Sequence, residues 1–130
     1  MLRQNAWRFT AAITVVALCG CDREPHVYRV HGAVTTESGK PAKAGMVYFD
    51  PEVNVTEGGV QGFAYIKDGK FDTNDDGRGV SGGKYVARVK VFDGTPKTEL
   101  PLGEPLGPEE SYPIEFPTGE SEQKLHLKGS

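Results

Sequence analysis

The stretch Lys84-Tyr85-Val86-Ala87-Arg88-Val89-Lys90-Val91-Phe92 decides the fold class of this chain. Apolar residues recur at every second position from Tyr85 to Val91, whereas Arg88 and Lys90 fall between them. Successive side chains of a strand point to opposite faces, so the pattern predicts a β-strand with one face in a core. Its other face is at least partly exposed to water.

Similar short runs of β-branched and aromatic residues lie on both sides of this segment. They predict further strands at residues 27–35, 45–50, 60–67, 70–73, 112–116 and 124–128. Many of the 17 Gly and 9 Pro residues lie between these runs, and Asp68-Gly69 predicts a hairpin turn. Residues 95–108 predict a long irregular connection, and we expect no helix anywhere after residue 20. The pattern therefore predicts an all-β fold, a seven-stranded antiparallel β-sandwich.

Size, charge and cysteine positions limit the class of protein. A chain of 130 residues, 37% of them hydrophobic, fits one domain. The formal charge of −3 argues against a nucleic-acid partner. The chain contains 2 cysteines, Cys19 and Cys21, and both precede the predicted strands. The predicted domain therefore has no intrachain disulfide and depends on its own apolar core.

The N-terminal segment has the features of a secretion signal. Residues 1–8 contain Arg3 and Arg8 without an acidic residue, and the apolar run at 9–18 is too short to span a bilayer permanently. Leu18-Cys19-Gly20-Cys21 then resembles the lipobox of bacterial lipoproteins. The resemblance implies cleavage after residue 20 and lipidation of Cys21.

Lipidation would divide the chain into a signal peptide (1–20), a lipidated cysteine with its tether (21–26) and a β-sandwich domain (27–130). Several acyl chains, such as palmitate, on Cys21 would attach the protein stably to a membrane. We therefore expect a location at the bacterial cell membrane or outer membrane, with the domain outside the cytoplasm. An ordinary secretory signal or an uncleaved anchor remain alternatives, and both keep the domain outside the cytoplasm.

The predicted domain also resembles a known family. The motifs that carry the resemblance are Val30-His31-Gly32-Ala33-Val34-Thr35, Gly39-Lys40-Pro41-Ala42, Gly45-Met46-Val47-Tyr48-Phe49, Asp68-Gly69-Lys70-Phe71 and Gly82-Gly83-Lys84-Tyr85. They resemble carboxypeptidase regulatory-like domains, which are transthyretin-like sandwiches. Since these are mostly turn and core residues, the resemblance implies the fold rather than a function.

An acidic segment at Asp72-Thr73-Asn74-Asp75-Asp76-Gly77 is a candidate metal site. Asp72, Asn74 and Asp76 place oxygen ligands at alternate positions, as at the start of a calcium loop of the EF-hand type. The twelfth position is Gly83 instead of the usual glutamate. A solvated turn without calcium is the alternative, because Asp, Asn and Gly are common in turns.

Other candidate residues suggest no catalytic site. His31 and His126 are candidates for a metal pair or a general base, but both lie in alternating strands beside polar neighbours, which is typical of exposed histidines. Tyr48, Phe63 and Tyr65 form either an aromatic surface for a sugar or protein, or part of the core.

We therefore expect a noncatalytic, membrane-anchored accessory or binding module of the cell envelope, without a cofactor. Its partners would be the membrane and an envelope protein or carbohydrate. A calcium-dependent carbohydrate or protein binder is one alternative. A small transthyretin-like hydrolase is another, since Lys128-Gly129-Ser130 faintly resembles the C-terminus of that enzyme.

Overall fold

The computed structural model of the chain describes residues 26–52 and 59–128. The predicted leader (1–20), Cys21 and residues 22–25 of the tether lie outside the described residues. Within those two ranges, no helix combines the length and apolar character needed to cross a membrane. The elements are β1 (Val30–Thr35), β2 (Ala44–Pro51), β3 (Gly62–Lys67), β4 (Lys70–Asp72), α1 (Thr73–Asp76), β5 (Gly83–Phe92), β6 (Glu110–Phe116) and β7 (Ser121–His126).

The described strands form a 7-stranded sheet in the order β6-β5-β2-β3-β4-β1-β7. The sheet curls until it is nearly barrel-shaped. One side of the curled sheet consists of β6, β5, β2 and β3, and the other consists of β4, β1 and β7. The two sides meet at the β3–β4 hairpin, where Lys67 pairs with Lys70. Asp68 and Gly69 both have a positive φ, of 50° and 79°, which matches the twist of a tight hairpin. The predictions of an all-β fold and of this turn are confirmed.

The prediction that all strand pairs are antiparallel was wrong for one pair. Strand β7 lies parallel to β1, with Val30 opposite Ser121 and Thr35 opposite His126, so the sheet is mixed. The cause lies in residues 117–120, which carry the chain from β6, at one edge of the sheet, to β7 beside β1 at the other edge instead of forming a hairpin with β6. The buried Phe116 ends β6 by packing against Phe49 and Tyr85, with ring centroids 5.2 Å apart in both pairs.

The core lies inside the curved sheet and follows the alternation seen in the sequence. Strand β5 buries every second residue from Tyr85 to Val91, as predicted. Phe49 of β2 packs against Phe71 of β4 across the core, with ring centroids 6.0 Å apart. The largest fully buried side chains are Tyr85, Phe49, Ile66, Val30, Val34, Val47, Val80, Val89 and Thr73.

A helical turn, α1, lies between β4 and β5, so the expectation of no helix was wrong. Asp72 caps it by accepting a hydrogen bond from the Asn74 backbone N–H at 3.0 Å. Acidic residues at 75 and 76 in the first turn favour this helix end. The buried Thr73 hydroxyl accepts a hydrogen bond from the Val30 N–H at 2.9 Å, which attaches the turn to β1.

The curled sheet has two ends. Strands β1, β5 and β7 all begin at one end, which we call the proximal end. There the Tyr28 N–H donates to the Val80 carbonyl at 2.7 Å, close to where the described chain starts. The same strands finish at the opposite end, the distal end, at Thr35, Phe92 and His126.

Candidate binding cleft at the distal end

A cleft of about 460 Å³ opens at the distal end, between the β5–β6 side of the sheet and the β1–β7 side. Its floor consists of Val89, Val91 and Leu127, which are 1%, 8% and 7% exposed. These side chains belong to the core, so the cleft is a place where the core reaches the surface. We refer to it as the distal cleft.

Leu106 forms the rim of the distal cleft and is 62% exposed. It belongs to the irregular connection between β5 and β6, which backbone hydrogen bonds hold in place. The Leu106 N–H donates to the Val91 carbonyl at 2.9 Å, and the Asp93 N–H donates to the Glu104 carbonyl at 2.9 Å. Because this backbone is fixed beside β5, Leu106 extends the apolar floor outward into solvent.

The charged residues that line the distal cleft are Glu37 and Glu110. Glu37 is exposed in the turn after β1, whereas Glu110 is half-buried at the start of β6. One oxygen of Glu110, Oε1, accepts hydrogen bonds from the Tyr112 hydroxyl and the Lys128 N–H, both at 3.0 Å. Burial raises the pKa of Tyr112, and its hydrogen bond to Glu110 raises it further. These bonds hold the Glu110 carboxylate in a fixed orientation.

The distal cleft therefore combines an apolar floor, an exposed apolar rim and two carboxylates, which is the composition of a binding site for a small ligand. The sequence patterns did not identify it. Its residues come from positions 36–38, 89, 91, 106–108, 110 and 127, and Leu106 lies in a proline-rich connection without periodicity. The alternation of β5 and β7 predicted Val91 and Leu127 as core residues but could not show that they meet at an opening.

The candidate calcium residues lie at the end of β4 and in α1, and two of them have cationic partners. The Asp72 carboxylate accepts hydrogen bonds from Arg29, which lowers its pKa to about 2. Asp76 pairs with Lys67, with Oδ2 and Nζ 2.7 Å apart, while Asn74 contributes its backbone to the Asp72 cap. Across residues 26–52 and 59–128, no group of three or more His, Cys, Asp or Glu side chains is arranged to hold a metal ion.

The structure keeps the two histidines apart. His31 lies opposite Glu122, whereas His126 lies opposite Thr35, four residues further along β1, which is about 13 Å away. His31 Nε2 is 3.4 Å from a Glu120 oxygen, and His126 Nδ1 is 2.8 Å from the Thr35 hydroxyl. The His126–Thr35 contact joins β7 to β1, whereas the His31–Glu120 contact joins β1 to the residue before β7.

The three candidate aromatic residues lie together on the outer face of β2 and β3. Tyr48 lies opposite Phe63, and Met46 lies opposite Tyr65. The Arg88 guanidinium lies 4.9 Å from the centroid of the Tyr48 ring and binds Asp50. Burial alone would raise the pKa of Asp50, but the hydrogen bonds from Arg88 and Gln61 lower it overall. These aromatic residues therefore belong to a half-buried outer surface with polar neighbours instead of to the core.

Comparisons of this chain with protein-family models, with curated proteins and with solved structures found no match.

Proposed function

We propose that this protein is a noncatalytic lipoprotein of the bacterial cell envelope, attached through Cys21, whose domain binds a ligand in the distal cleft. The position of the cleft relative to Tyr28, which closely follows the proposed tether, carries the proposal. The described chain begins beside the proximal end, where Tyr28 pairs with Val80, and the cleft opens at the other end.

This arrangement suits a membrane-attached binding domain. The five tether residues after Cys21 span at most about 18 Å, so a lipid on Cys21 would keep the proximal end near the membrane. Strand β5 has 10 residues and extends about 33 Å from the proximal to the distal end. The distal cleft would then face away from the lipid surface, where ligands in the surrounding compartment can reach it.

We also propose that the curled sheet is a variant of the transthyretin-like sandwich of carboxypeptidase regulatory-like domains. The packing of Phe49 against Phe71 supports this, because the two residues belong to opposite sides of the sheet. The conformation of the Asp68-Gly69 turn also supports it, because this turn is part of the motifs that carry the resemblance.

Metabolic labelling in a bacterial host with a palmitate analogue tests the attachment. We expect the natural chain to take up the label and to sediment with membranes, and Cys21→Ala to lose both properties. Globomycin should cause an unprocessed precursor to accumulate. Cys19→Ala is the matched control and should behave like the natural chain. Label and membrane attachment that persist in Cys21→Ala would disprove lipidation at this residue.

A second candidate function is carbohydrate binding on the outer aromatic face of β2 and β3. Its support is the grouping of Tyr48, Phe63 and Tyr65 beside the polar Arg88–Asp50 pair, since sugars stack on aromatic rings and hydrogen-bond to such groups. Tyr65→Ala should abolish retention on an oligosaccharide array if this surface is used. Retention that is instead lost in Leu106→Asn would assign the binding to the distal cleft.

A further inference from the structure

We infer that the distal cleft binds a small organic cation with an apolar body. This inference rests on the binding role proposed above and adds the chemical class of the ligand. It follows from the volume of the cleft, its apolar surface and the sign of the charges that line it.

The apolar body follows from the shape and the lining. A volume of about 460 Å³ lies within the range of small-molecule sites, about 300–1000 Å³. The floor residues Val91 and Leu127 are almost fully buried, so the free cleft exposes little of their surface. Leu106 is different, since 62% of it is exposed in the free protein. An apolar ligand lying between Leu106 and the floor would remove this leucine from water, which favours binding.

The positive charge follows from the two carboxylates. Glu37 and Glu110 both line the distal cleft, and no lysine, arginine or histidine does so among the described residues. The hydrogen bonds that the described residues make to Glu110 both use Oε1, and a ligand can use Oε2 as an acceptor. The neighbouring Lys128 directs its Nζ toward the Tyr112 ring, 6.0 Å from the centroid. An ammonium group would gain charge-assisted hydrogen bonds here, whereas an anion would be repelled by both carboxylates.

Three probes with the same apolar body test the inference: phenylbutylamine, phenylbutanol and phenylbutyrate. The protein is the lipidated chain in nanodiscs, and empty nanodiscs give the background. Saturation-transfer NMR titrations measure the three dissociation constants. We expect the amine to bind about tenfold more tightly than the carboxylate, with the alcohol between them, and added salt to reduce the difference.

Substitutions connect the selectivity to the cleft. Glu37→Gln should reduce the preference for the amine about threefold, and the Glu37→Gln/Glu110→Gln double variant should bring the three probes within about twofold of one another. Glu37 is exposed and forms no described ion pair, so its variant tests the charge even if the loss of Glu110 impairs folding. Glu99→Gln is the matched control outside the cleft and should leave the preference unchanged. Leu106→Asn should weaken all three probes, whereas Val27→Asn should weaken none.

The outcomes distinguish this inference from the proposed function. Equal binding of the three probes, lost in Leu106→Asn, would overturn the charge preference and leave the binding role intact. Binding that is insensitive to Leu106→Asn would place the probes elsewhere and overturn the inference. Failure of all three probes to bind would overturn both the inference and the binding role, while lipidation at Cys21 would still be judged by the labelling experiment.

Discussion

Replacing Tyr85 with phenylalanine removes a single oxygen atom from the centre of the domain and keeps the ring in place. Tyr85 is 1% exposed, and its hydroxyl donates to the Val60 carbonyl at 2.7 Å. The same hydroxyl accepts a hydrogen bond from the Ser81 backbone N–H at 3.0 Å and lies 2.8 Å from the Ser81 hydroxyl. The Tyr85 oxygen therefore links β5 to Val60, which precedes β3, and to Ser81, which precedes β5.

The expected loss of stability follows from the groups that would be left without a partner. A phenylalanine ring still packs against Phe116, so no cavity of the size of a side chain is created. The buried Val60 carbonyl would lose this hydrogen bond, and such a loss costs about 1–3 kcal/mol. Ser81 is only half-buried, so water can replace part of its contact. We therefore expect Tyr85→Phe to lower the free energy of unfolding by about 2–3 kcal/mol.

Urea unfolding followed by circular dichroism, on a chain that begins at Asp22, measures this difference. The transition midpoint should fall while the slope with urea stays unchanged, because the substitution does not alter the surface exposed on unfolding. Tyr65→Phe is the matched control: Tyr65 is 37% exposed, and we expect a change within about 0.5 kcal/mol. If Tyr85→Phe cost no more than this control, the hydroxyl would not be an important link in the fold.

Three further predictions concern β1 and the acidic segment. Arg29 lowers the pKa of Asp72 from 3.8 to about 2, so the ion pair stabilises the fold above about pH 4 and this contribution is lost as the pH falls toward 2. Asp72→Asn can still cap α1, and should flatten the dependence of the unfolding midpoint on pH in this window; an unchanged slope would contradict the assignment. Gly32→Ala would place a Cβ against the Gln123 backbone carbonyl and should lower the free energy of unfolding in urea by about 1–3 kcal/mol. Gly119→Ala is the control and should have little effect, because a Cβ there would meet nothing within 4 Å. Equal losses of stability in the two variants would argue against the β1–β7 pairing. Calcium at millimolar concentration should leave the midpoint of thermal unfolding unchanged, because Arg29 and Lys67 already pair with Asp72 and Asp76. If calcium raised this midpoint in the natural chain but not in Asp76→Asn, the acidic segment would be a calcium site after all.

The strand predictions agreed with the structure where they depended on local pattern. The alternation at 84–92 predicted β5, which spans Gly83–Phe92, and the Asp68-Gly69 turn was correct. The first strand was predicted from residue 27 but begins at Val30, because Tyr28 forms an isolated bridge with Val80. The helical turn was missed because it depends on the Asp72 cap, and aspartate is equally typical of turns and strand ends in a sequence.

The candidate sites depended on the sequence to different extents. The prediction of Cys21 comes from a contiguous motif, and it stays a prediction because this residue lies outside the described ranges. The acidic segment was recognisable, but its ion pairs were not, since Arg29 is 43 residues away from Asp72 along the chain. The distal cleft had no sequence signal, because it forms where the ends of β1, β5 and β7 meet.

The sequence by itself determined the all-β class, the core face of β5 and the tight hairpin. Period-two alternation and the backbone preferences of Asp-Gly are local properties, so they act before any distant contact forms. The tertiary structure alone decided that β7 lies parallel to β1 and that a cleft with two carboxylates opens between the two sides of the sheet. The parallel pairing depends on residues 117–120, which carry the chain from β6 at one edge of the sheet to β7 at the other. Phe116, at the start of this connection, packs on Phe49 and Tyr85, which are distant in the chain.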